Sequence, residues 1–175
     1  TAHSALSHLY YGESLTDGLV AAQRAYEADA YLEAADAVVW RLYSGNYDLQ
    51  NWARAREWCN TGARRFPADK DFVYCQLELM TSPAVAPDPE AAWRLAARID
   101  SLAPPERADF EHAQAHMSVA GVLGRAARAG ATVDAVLLDS ARAVLDRTRA
   151  ASSRDMDLGE DLIWHEAYIR VLSDQ

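Results

Sequence analysis

Lysine is almost absent from this 175-residue chain: of 17 basic residues, 16 are Arg and only Lys70 is Lys. That bias fits GC-rich bacterial coding at least as well as bidentate carboxylate recognition, so it marks no binding surface by itself. Cysteine is scarce as well. Cys59 and Cys75 are the only two, too few for a closed Cys-rich zinc site. Sixteen residues separate them, a spacing that leaves pairing open, and a reduced structural pair is the expectation. With only 8 Gly and 6 Pro there is little material for a turn-dense β-sandwich or a collagen-like repeat. No run approaches the roughly 20 apolar residues of a membrane span; the stretch Ala135 to Leu138 meets an Asp within one turn. Thr1 is preceded by no initiator Met and followed by no basic-then-apolar leader, which reads as a processed product or a piece of a longer chain.

What is abundant points one way. Ala occurs 35 times and Leu 18 times, half of all residues are hydrophobic and a quarter are charged, so an all-α chain able to bury a core is expected. Acidic residues number 26, giving a formal charge of −9. On average that field repels a phosphate backbone, which argues against nucleic acid and in favour of a basic or amphipathic protein or peptide partner.

Breakers divide the chain into nine helical segments. The first covers about residues 4–11 and ends at Gly12. The second follows Ser14, with Leu15, Leu19, Ala22 and Tyr26 at helical spacing. A third spans about 31–43, with Ser44-Gly45-Asn46 as its stop. Asp48 is the expected cap of a fourth, closed by Pro67 after Phe66. The fifth opens at Asp69 or Asp71 and ends at Thr81-Ser82-Pro83. The sixth follows the Pro83 to Pro89 loop and finishes before Pro104-Pro105. The seventh, about 106–129, ends at Gly130; the eighth follows Thr132 to Ser152-Ser153; the ninth covers about 157–173.

Four segments share a pattern: Gly18, Ala22, Ala25, Ala30; Ala55, Cys59, Gly62, Pro67; Ala92, Ala96, Ile99, Pro104; Ala141, Leu145, Thr148, Ser153. Their starting points lie 37, 37 and 49 residues apart, the mark of a repeated two-helix unit with insertions. Small residues four and seven apart, then Pro five later, resemble the second helix of a tetratricopeptide repeat (TPR). Tyr43-Ser44-Gly45-Asn46-Tyr47-Asp48 is similar to that family's Gly-x-Tyr turn between helices. The resemblance implies a single domain over residues 1–175: a right-handed superhelical stack of antiparallel helix pairs at about 3–29, 31–66, 70–103 and 105–152, with a final helix at 157–173. Family repeats are 34 residues, so these units carry insertions, and Ile99 and Thr148 stand where the family keeps an Ala-sized residue. A short side chain at a helix crossing lets the axes approach within about 8–10 Å, which is why Ala55 and its counterparts matter.

Chemistry-bearing constellations are few. His112 and His116 are four apart in Glu111-His112-Ala113-Gln114-Ala115-His116, so both imidazoles share a helix face and could meet one metal ion. A metalloprotease helix has Glu directly after the first His, whereas Ala113 stands here, and local spacing indicates no third ligand. Trp164-His165-Glu166 and Glu160-Asp161 contain acid–base types, but adjacent helix residues point apart, and a packed Trp164 beside solvent-facing neighbours is the simpler reading. There is no nucleophile elbow and no Gly-rich phosphate loop. The expectation is therefore no enzyme, no metal and no cofactor.

The resemblance implies a noncatalytic interaction scaffold that holds a peptide or partner segment on the concave face of the superhelix. Asp36, Arg41, Tyr43, Tyr74, Glu78 and His116 are the expected contacts, because they lie on the first helix of each pair and carry polar or aromatic groups. Two other readings are carried beside it. One is a sensory or regulatory module from a multidomain bacterial regulator or kinase, in contact with other domains of its parent chain. The other is a metal-dependent helical hydrolase using His112, His116 and Glu111. A cytoplasmic location is weakly favoured.

Overall fold

The computed structural model of the chain describes residues 14–28 and 34–130, together with position 143. Six α-helices occupy this stretch: α1 (Leu15–Ala28), α2 (Ala35–Asp48), α3 (Trp52–Arg65), α4 (Lys70–Leu79), α5 (Pro89–Leu102) and α6 (Ala108–Arg128), with a 3-10 turn at Pro105–Arg107. The chain is all-helical over the described residues, as its composition requires. The segments expected at 4–11, 132–152 and 157–173 lie outside them. Two compact units divide the chain, Thr1–Gln76 and Leu77–Gln175.

In the first unit α1 packs on α2, and α2 on α3. The small residues singled out by the repeat pattern are buried, Gly18, Ala22 and Ala25 in α1 beside Ala21, and Ala55, Cys59 and Gly62 in α3 beside Trp58. Helices come close where side chains are short. Gly45 follows the same logic, and it corrects the expected stop at Ser44-Gly45-Asn46. A Cβ on Gly45 would lie 2.8 Å from Leu19 Cδ2, so this glycine admits α1 against α2 while α2 continues to Asp48.

The turn comes after α2 instead. Gln50 takes a left-handed φ of 57°, and the Asn51 amide donates to the Asn46 carbonyl at 2.7 Å. Asn46 is buried and serves both sides of the turn: its Nδ2 donates to Leu42 O at 2.6 Å and its Oδ1 accepts from Asn51 Nδ2 at 3.1 Å. Asp48, expected to cap α3, is thus the last residue of α2, and Asn51 precedes α3.

Pro67 closes α3 as expected, with Phe66 leaving the helix. Asp69 then opens α4, its Oδ1 accepting from the Asp71 amide at 3.0 Å. A Cβ on Gly62 would fall inside the Phe72 ring, so this glycine seats α4 against α3. Phe72 stacks on Phe66 with centroids 5.5 Å apart and meets Trp40 edge-on at 6.2 Å. The same approach brings Cys59 and Cys75 to a Cα separation of 5.8 Å, and they form a disulfide. The expected reduced pair is corrected: the Gly62–Phe72 seat puts the two cysteines face to face across α3 and α4.

In the second unit Asp88 caps α5, its Oδ1 accepting from the Ala91 amide at 2.9 Å, with Pro89 at the first helical position. α5 buries Ala92, Ala96 and Ile99 and packs on α6. The helix α6 is buried at every position from Met117 to Gly124. Arg125 donates to the carbonyls of Met80 and Val85, satisfying the chain end that follows α4. Gly130, with φ 85°, ends α6 where the sequence placed the stop.

Candidate functional site

Two places on the described residues bring chemistry-bearing side chains together, one in each unit. The first lies between α5 and α6. The Pro104-Pro105 break folds the chain back so that the last turn of α5 faces the first half of α6. Asp100 then meets His112 and His116. Its Oδ1 and Oδ2 lie 3.1 and 3.2 Å from His112 Nδ1, and Oδ2 lies 3.3 Å from His116 Nε2. The two imidazoles overlap, centroids 3.9 Å apart, as the four-residue spacing on one helix face dictates. Trp93, two turns before Asp100 on α5, stands edge-on to His116 at 5.2 Å. The His116 side chain is 13% exposed, whereas Asp100 and His112 are open to water at 33% and 45%.

Asp100 is also badly placed for its own helix. It sits in the last turn of α5, where no basic residue accompanies it and where the helix dipole disfavours negative charge. Glu111, expected beside the histidines, does not join the cluster. Its carboxylate is 5% exposed and stands 3.4 Å from Arg107 Nε. The third group is Asp100 instead, 12 residues before His112. Spacing within one helix could not have found it; pairing the end of one helix with the start of the next across a Pro-Pro break could.

The second place is a groove of about 340 Å³ in the first unit, walled by α1, α2 and α3. Leu19, Leu42 and Trp58 give it an apolar floor, and Arg24, Glu27 and Arg54 line it with charge. Val20, also in the lining, is 45% exposed, one of two large apolar side chains so open among the described residues. Glu27 accepts from Gln23 Nε2 at 2.8 Å, and Arg54 is paired to Glu57 at 2.9 Å.

None of the six expected partner contacts lines this groove. Tyr43 is corrected outright: it is fully buried between Trp40 and Tyr47, at centroid distances of 5.2 and 5.8 Å, because α2 continues through it as core. Asp36, Arg41, Tyr74 and Glu78 are half-buried. Asp36 lies within the field of Asp69, whose carboxyl is held above its ordinary range by burial. The Asp71 amide opposes that shift, the charges of Asp71 and Asp36 add to it, and Lys70 opposes it. His116 belongs to the Asp100 cluster. Trp164, His165, Glu166, Glu160 and Asp161 lie outside the described residues. No protein-family model, curated protein or solved structure matches this chain.

Proposed function

We propose that the chain is a noncatalytic interaction module, a TPR-like array of helix pairs, that holds an amphipathic partner segment in the groove between α1, α2 and α3. The observation that carries this reading is the groove itself: an apolar floor of Leu19, Leu42 and Trp58, an exposed Val20, and Arg24 and Arg54 beside a single acid, Glu27. Apolar side chains of a bound segment would fill the floor, while the Arg24 guanidinium favours a carboxylate on that segment. The buried small residues of α1, α3 and α5 at 37-residue spacing support the repeat reading. The proposed seat differs from the surface expected from the resemblance, since Tyr43 is core. A Cys59–Cys75 disulfide is at home in an oxidising compartment, which counts against the cytoplasmic expectation.

Peptide display against the immobilised intact chain tests the reading. Enriched peptides are expected to be amphipathic and to lose at least about tenfold in affinity, some 1.4 kcal/mol, on Val20→Glu, with the melting temperature unchanged. Enriched peptides that bind the variant as well as the parent would place the partner surface elsewhere.

A further inference from the structure

The geometry points to a divalent transition-metal site formed by Asp100, His112 and His116, of the class that takes zinc, clamping the last turn of α5 to the first half of α6. Three ligand atoms, one from each side chain, lie within 4.8 Å of one another. A zinc ion with ligands at about 2.0–2.1 Å in tetrahedral array has ligand–ligand edges of about 3.3 Å. The Asp100 oxygens stand 3.1 to 3.3 Å from His112 Nδ1 and His116 Nε2, so two edges of that tetrahedron already have the right length.

A plain carboxylate–imidazole pair explains the arrangement less well. One carboxylate oxygen, Asp100 Oδ2, is shared between His112 Nδ1 at 3.2 Å and His116 Nε2 at 3.3 Å, and the two rings overlap at 3.9 Å. A divalent cation satisfies all three groups together, and it also offsets a carboxylate set at the unfavourable end of α5. Two imidazoles and one carboxylate are the donor set that suits zinc and its neighbours rather than calcium or magnesium, which take oxygen. Trp93 walls the site beside His116, and the exposed sides of Asp100 and His112 leave the remaining coordination positions to water. The site lies in the second unit, and the inference does not depend on the partner-binding reading.

The test uses the intact chain, freed of metal with a chelator and then titrated calorimetrically with zinc chloride. A parallel titration with cobalt(II) reads coordination from its visible absorption. Asp100→Asn and His112→Gln are the test variants, since both positions are open enough to change without emptying the core, and Glu90→Gln, at an exposed carboxylate of α5 outside the cluster, is the control. Circular dichroism checks that each retains its helix content. The inference expects one zinc per chain, a melting temperature raised by zinc, and at least a tenfold loss of affinity in each test variant but none in the control. It is overturned by no uptake at 100-micromolar-scale zinc, or by uptake that folded Asp100→Asn and His112→Gln retain undiminished.

Discussion

Both units bring helices together over small residues, but each adds a different device to that packing. In the first, the device is a set of aromatic contacts: Tyr26 on Trp58, Trp40 on Tyr43 and Phe72, Tyr47 on Trp52, with a disulfide joining α3 to α4. In the second, α5 buries Ala92, Ala96 and Ile99 and packs on α6, and an Asp–His–His cluster occupies one end of their contact. The first unit also holds a groove walled by α1, α2 and α3. In the second unit the last turn of α5 faces the first half of α6 across the Pro104-Pro105 break, which is how it acquires a candidate ligand cluster.

Breaking the ring network is expected to have the largest effect. Tyr43→Ala removes a fully buried ring and should cost about 3–5 kcal/mol, measured by denaturant unfolding, with hydrogen-exchange protection lost first in α2 and α3. Replacing both Cys59 and Cys75 by Ser opens a 16-residue link and should cost about 2–4 kcal/mol; protection is expected to fall in α3 and α4 and to persist in α5 and α6. If α5 and α6 open in step, the two units do not rest on separate means. In the second unit, Asp88→Ala deletes the α5 cap at a cost of about 1 kcal/mol, seen as faster exchange at Ala91 and Ala92.

The smallest effect concerns pH. Partial desolvation raises the Asp48 carboxyl above its ordinary value although the residue is largely exposed, so a small cost of its ionisation sets in as the pH rises through the ordinary carboxylate value and is complete above the folded-state one. The cost disappears as the pH falls and the group takes up a proton. Asp48→Asn should therefore raise the melting temperature slightly at pH 7, with the gain shrinking toward the acidic end of the carboxylate range. A gain that is constant with pH would remove Asp48 ionisation as its cause.

Much of the local structure was legible in the residues. Pro67, the Pro83 to Pro89 loop, Pro104-Pro105 and Gly130 bound helices where expected, since these residues act through their own backbones. The Ala and Gly positions of the repeat pattern mark burial in α1, α3 and α5. What failed to show was anything decided by a neighbour. Gly45 reads as a stop until Leu19 of another helix is seen to occupy its side-chain space. Tyr43 reads as an available aromatic until rings from its own helix enclose it. Asp100 carries no motif because its partners lie across a loop, and Cys59 and Cys75 meet only because Phe72 fits over Gly62. Local chemistry sets the breaks, and contacts between helices set the sites.

The central claim is that the α1–α2–α3 groove, and not the surface implied by the family resemblance, receives a partner segment. The most direct measurement is a heteronuclear NMR titration of the intact chain with a display-selected amphipathic peptide. Shift changes centred on Leu19, Val20, Gln23, Arg24, Asn46 and Arg54, all in the groove wall, are the predicted result. Changes centred on Asp36, Arg41, Tyr74 and Glu78, with the groove residues unmoved, would contradict it.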